Sequence, residues 1–166
     1  MSKSDRIGQL LVELASGHPV SSSTGHPYHP CHEGYRLCFN GGRFYEAHDV
    51  LEHLWLKEGP AAADHALHKG LIQLAGAFVH LKLQRESPHH PKHGRRLHPA
   101  LRLLRLAEQN LASYPSVRHG LDLDQCRRLC VETARTLEEG SCARNPWAPE
   151  ASPQLRWVAG GEIPDR

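Results

Sequence analysis

Beyond residue 30, apolar side chains recur at alternating steps of three and four, which predicts helices and no paired strand. A first core helix is expected over residues 30–39. Pro30 is tolerated in its first turn, and Asn40-Gly41-Gly42 ends it by supplying left-handed backbone. A second, over about 43–57, stops at Gly59-Pro60, and so short a connection predicts an antiparallel hairpin of the two. The third, over about 61–85, is the longest. It carries Leu67, Leu71, Leu74, Phe78 and Leu81 on one side and Ile72, Ala75, Val79 and Leu83 on another, the pattern of a central strut packed on several faces. A fourth is expected over about 98–113, with Pro99 in its first turn and Leu97, Leu101, Leu104 and Leu111 at helical spacing. The fifth begins at Asp122 or Asp124, repeats Cys126, Leu129, Cys130, Thr133, Ala134 and Leu137, and closes at Gly140.

The two ends read differently. Residues 1–27 form an N-terminal extension: the amphipathic piece IGQLLVELASG, then HPVSSSTGHPYHP, where Pro, Gly and Ser prevent regular structure, and the whole is placed outside the core. Residues 28–140 form the helical bundle domain. Residues 141–166 form a Pro/Gly-rich C-terminal arm, either laid over the bundle or disordered. The fold class is therefore all-α, an irregular bundle of four to five helices beginning with an antiparallel helix hairpin.

Composition narrows the function more than the fold. A chain of 166 residues supports one sizeable core, and a formal charge of +2 lacks the basic excess of an obligate nucleic-acid or membrane-surface binder. Five cysteines without CxxC pairs argue against a disulfide framework or a zinc ribbon, so the cytoplasm is the expected compartment. Cys126 and Cys130 are expected as small apolar core residues. The longest apolar stretch, residues 70–81, contains Gln73 and His80 and is too short to span a bilayer. Arg95, Arg96, Arg102, Arg105, Arg127 and Arg128, without interleaved aromatics, read as a solvated surface, not a nucleic-acid interface.

Chemistry concentrates on the second helix, where FYEAHDVLEHLW carries Glu46, His48, Asp49, Glu52 and His53. At about 100° per residue the wheel divides them. Phe44, Ala47, Leu51 and Leu54 enter the core; His48, Glu52 and Trp55 line one border of that face. Glu46 lies on the other border near Val50, while Asp49 and His53 point to the solvent side. His48 and Glu52, one turn apart, suit an oriented imidazole or a shared divalent metal. On the third helix, Gln73 and His80 share a polar stripe with Lys69 and Gly76, and a polar stripe on a buried helix needs partners. If the two stripes face, His48, Glu52, Gln73 and His80 converge in a semi-buried pocket floored by Trp55, with Glu46 joining only from another interface. Each pair also has a plainly structural reading as a hydrogen-bonded or ionic tie. The histidines of the loop (His89, His90, His93, His98) and of the early group (His26, His29, His32) read as weak metal capture on flexible segments.

FNGGRFYEAHDVLEHLW followed by HKGLIQLAGAFVHLKL closely resembles the family catalogued as domain of unknown function 309, whose hallmark reads roughly FNxGxYFEAHEVLExLW and then FYQGLIQLAVAFYHL. The shared positions are Phe39, Asn40, Gly42, Glu46, Ala47, His48, Leu51, Glu52 and Trp55, then Gly70–Ala75, Phe78 and His80. The resemblance covers about residues 28–137, strongly in the first half. Asp49 stands where the family has Glu, and SPHHPKHGRR replaces a family-typical Gly-Asn turn. The resemblance implies a small all-α bundle without an established function, and it puts weight on Glu46, His48, Glu52, Trp55, Gln73 and His80.

Three functional readings follow. The first is a small-ligand or metal site between the second and third helices, hydrolytic if His48 acts as general base with Glu52 orienting it. The second is a noncatalytic interaction module, since GYRLCFNGGRFYEAHDVLE resembles one tetratricopeptide helix pair, which could bind a protein partner or drive homo-oligomerisation. The pair is not repeated along the chain as a solenoid needs. The third is a polar network that only specifies the fold. Whether the chain is an enzyme is left open by all three.

Overall fold

Glycines in left-handed backbone decide where this chain turns. Gly42 (φ 70°) lets it leave one helix and enter the next within three residues, and Gly59 (φ 78°) ends the helix that follows. The computed structural model describes residues 1–17 and 30–158. Among these, six helices and almost no strand make an all-α bundle: α1 Lys3–Gly17, α2 Pro30–Asn40, α3 Phe44–Glu58, α4 His65–Glu86, α5 Leu97–Leu111 and α6 Leu123–Glu139. His26, His29 and the HPVSSSTGHPYHP stretch before Pro30 lie outside the described residues.

The long third helix of the sequence reading is α4, and it is packed as a strut, with α3 on one side, α5 on another and a few contacts to α6. It starts at His65 because residues 59–64 are spent on two tight turns, Ala62 N to Gly59 O and His65 N to Ala62 O. Its crossing with α5 is close. A β-carbon on Gly70 would stand 2.9 Å from Leu111 Cγ. Around α4 the core is aromatic toward α2 and α3: Phe39 meets Phe44 at 5.0 Å and Phe78 at 5.3 Å, both edge-on. Buried Tyr35 donates its hydroxyl hydrogen to Leu71 O at 2.7 Å.

Between α5 and α6 a hairpin of two-residue strands, β1 Val117–Arg118 and β2 Leu121–Asp122, corrects the expectation of no paired strand. Strands this short leave no alternation to read. The Asp122 carboxylate caps α6 by accepting from Gln125 N, and Cys126 and Cys130 are fully buried as expected. The arginines are less idle than a solvated surface. Arg127 donates to the carbonyls of Leu111 and Tyr114, closing the end of α5, and Arg105 bridges to Glu138 of α6.

Both ends add to the core. The amphipathic piece placed outside it forms α1 and inserts Ile7, 4% exposed. Gly34 permits this, since a β-carbon there would lie 2.6 Å from Leu11 Cδ2. Of the two readings of the C-terminal arm, the structure takes the first through Val158. Trp147 and Leu155 are buried, and Asn40 exchanges two hydrogen bonds with the Leu155 backbone at 3.0 and 2.6 Å. No helix among the described residues is long and apolar enough to cross a membrane.

Candidate functional site

The polar stripes of α3 and α4 meet. Tyr45 and His48 from α3, Ile72, Gln73, Gly76, Val79 and His80 from α4, and Leu103 from α5 line one cleft of about 310 Å³. Gly76 keeps it open: a β-carbon there would reach within 3.3 Å of Leu103 and 3.9 Å of the His48 ring.

The hydrogen bonds around the cleft fix what it offers. Arg96 Nη1 lies 2.9 Å from His80 Nδ1. A guanidinium has no lone pair and can only donate, so His80 is neutral, accepts at Nδ1 and carries its proton on Nε2. Its pKa is lowered, first by half-burial and then by the charges of Arg96 and Arg102. Asn110 Nδ2 donates to Gln73 Oε1 at 2.7 Å, which fixes the orientation of the amide and leaves its two hydrogens to donate elsewhere. His48 Nδ1 stands 3.2 Å from Asp49 Oδ1; with its hydrogen directed to that carboxylate, His48 keeps a lone pair on Nε2. The cleft thus has two fixed donor groups, one imidazole acceptor, and walls of Tyr45, Ile72, Val79 and Leu103.

Glu52 and Trp55 do not reach it. Glu52 and Asp49 both bind the Lys3 ammonium of α1, which is why Asp49 does not face open solvent as the wheel of an isolated helix suggests. The orienting partner of His48 is therefore Asp49, its chain neighbour, in place of Glu52. His48, Asp49 and Glu52 each bring a ligand atom within 4.8 Å of the others, a spacing that could hold a metal ion. The Lys3 ammonium already supplies the positive charge there, and a metal ion would have to displace it. Trp55 stacks on His65 at 4.9 Å and does not line the cleft. Glu46 pairs with Arg43 and lies along the α1–α3 groove, a different seam, as expected. His53 is half-buried on α3 outside both groups. In the loop, His90 Nδ1 accepts from the backbone of Lys92 and His93, and His93 accepts from Arg96, so these imidazoles hold the loop's shape.

A second histidine group corrects the expectation that His32, with His26 and His29, is weak metal capture on a flexible segment, since His32 is buried in α2, and it adds His68 and His119, which the sequence does not single out. His32 in the first turn of α2 and His68 in the first turn of α4 are 2% and 1% exposed, with their Nε2 atoms 2.9 Å apart. His119, at the tip of the β-hairpin, stacks on His32 at 4.1 Å. The available signals were His68 in core register with Leu71 and Ala75, and His119 immediately before Gly120 in a two-residue turn.

No curated protein and no solved structure matches the chain. A family model does match, from His32 in α2 through α3 and α4 to His89. It takes in His48, Gln73 and His80 and stops short of Leu103 and His119. Over residues 32–89 the chain matches the model described as Domain of unknown function (DUF309), the family its two motifs resemble.

Proposed function

We propose that the α3–α4–α5 cleft binds a small, largely apolar molecule bearing a carboxylate or carbonyl group. The observation that carries this reading is the meeting of His48, Gln73 and His80 in one cleft whose other walls are Tyr45, Gly76 and the aliphatic side chains of Ile72, Val79 and Leu103. Ligand sites have this character: apolar walls, a few fixed polar groups and a volume of at least about 300 Å³. The Gln73 amide and the His80 Nε2–H suit the oxygens of the head group. Arg96 and Arg102, whose charges already lower the His80 pKa, favour an anionic head. His48, oriented by Asp49, adds a basic nitrogen able to take a proton from a bound ligand or water, which is where a hydrolytic activity would reside.

Octanoate is a suitable probe. Titrated into isotope-labelled protein, it is expected to give saturable shifts at His48, Gln73 and His80. Leu103→Trp, which fills the cleft from α5, is expected to abolish them with the fold intact. Absence of saturable binding, or binding indifferent to Leu103→Trp, would refute the reading.

A further inference from the structure

The His32–His68–His119 group lies apart from the cleft and has the makings of a metal centre. One ring nitrogen from each histidine lies within 4.8 Å of the other two. Two of the three imidazoles are in the core, where a polar ring is costly unless its nitrogens are used. The approach of the two Nε2 atoms to 2.9 Å excludes lone pairs facing each other with nothing between them; a proton or a cation must sit there. Around zinc, tetrahedral geometry with bonds of about 2.0–2.1 Å puts nitrogens about 3.3 Å apart, so loading opens the His32–His68 pair by about 0.4 Å and turns the His119 ring out of its stack on His32, because an ion binds near the plane of each ring.

The surroundings supply the carboxylates that usually orient metal-bound histidines. Asp64 Oδ2 accepts from His119 Nε2 at 2.6 Å, which leaves Nδ1 as the coordinating atom of that ring. Glu58 Oε2 stands 3.4 Å from His68 Nδ1 and favours a proton there, leaving Nε2 for a metal. Asp64 occupies the N-cap position of α4 yet makes no side-chain cap bond; its carboxylate is committed to His119 and Arg118 instead. Desolvation pushes that carboxyl up, but the hydrogen bonds from His119 and Arg118 outweigh it and hold Asp64 ionised. His119 also adopts left-handed backbone (φ 51°) ahead of Gly120 (φ 78°), a conformation uncommon for a side chain with a β-carbon and kept where the surroundings over-determine it.

We propose that His32, His68 and His119 bind one zinc-class divalent ion, with Asp64 and Glu58 orienting the His119 and His68 rings. The ion clasps α2, α4 and the β-hairpin, three segments far apart in the chain, so its binding stabilises the fold.

Cobalt(II) tests this on untagged, chelator-treated protein. One equivalent is expected to bind with the intense visible absorption of tetrahedral cobalt, and zinc is expected to displace it. His119→Asn, chosen because asparagine tolerates the left-handed turn, should lose this band while keeping the helical circular dichroism of the parent. Asp64→Asn should weaken affinity about 10- to 100-fold. The loop double variant His89→Gln/His90→Gln should bind as the parent does. Folded protein that takes up no cobalt, a His119→Asn variant that binds as tightly as the parent, or binding lost with the loop variant would each overturn the assignment. His32 and His68 would then be joined by a shared proton.

Discussion

His80 shows how one residue can report on the cleft. Half-burial and then the charges of Arg96 and Arg102 lower its pKa from the ordinary 6.5. The unfolded imidazole therefore takes up a proton at higher pH than the folded one, and below about 6.5 the unfolded state binds more protons. This residue's contribution to stability is fully present above the unfolded pKa. It declines as pH falls through that value and levels off below the folded pKa. His80→Gln removes the loss. Urea midpoints measured from neutral to mildly acid pH should fall less steeply for the variant than for the parent; identical slopes would mean that His80 is not held neutral.

At the scale of elements, α4 governs the packing, and its glycines have two separate uses. Gly76 leaves room in the cleft, while Gly70 lets α5 approach. Gly70→Ala adds a methyl group against Leu111 and Asn110, and overpacking of this kind costs about 1–3 kcal/mol. Against that stands the better helix propensity of alanine, up to about 1 kcal/mol. Net destabilisation, read as a lower urea midpoint at unchanged slope, is the expected result; a stabilised variant would show that α5 yields freely. The five core helices were legible because each has an apolar face of helical period. What α1 packs on was not, because amphipathicity states that a face must be covered without stating by what. Its seat depends on Gly34 lacking a β-carbon and on Lys3 finding Asp49 and Glu52, all distant in the chain.

The same division holds across the whole molecule. His48, Gln73 and His80 could be found by wheel because each lies on the inward polar stripe of its own helix. Glu52 and Trp55 could not be placed, since the partners that draw them away, Lys3 and His65, come from other segments. Leu103 and His119 complete the cleft and the histidine group from elements beyond the family match, and only the fold brings them there. An amphiphilic acid seated as proposed holds its head at Gln73 and His80 and its chain against Val79 and Leu103. Intermolecular nuclear Overhauser effects between octanoate and labelled protein report this seating. Contacts are expected from the octanoate methylenes to the Val79 and Leu103 methyls, with the carbon next to the carboxylate nearest the Gln73 amide; contacts confined to another surface, such as the Trp147 side of the bundle, would rule this seat out.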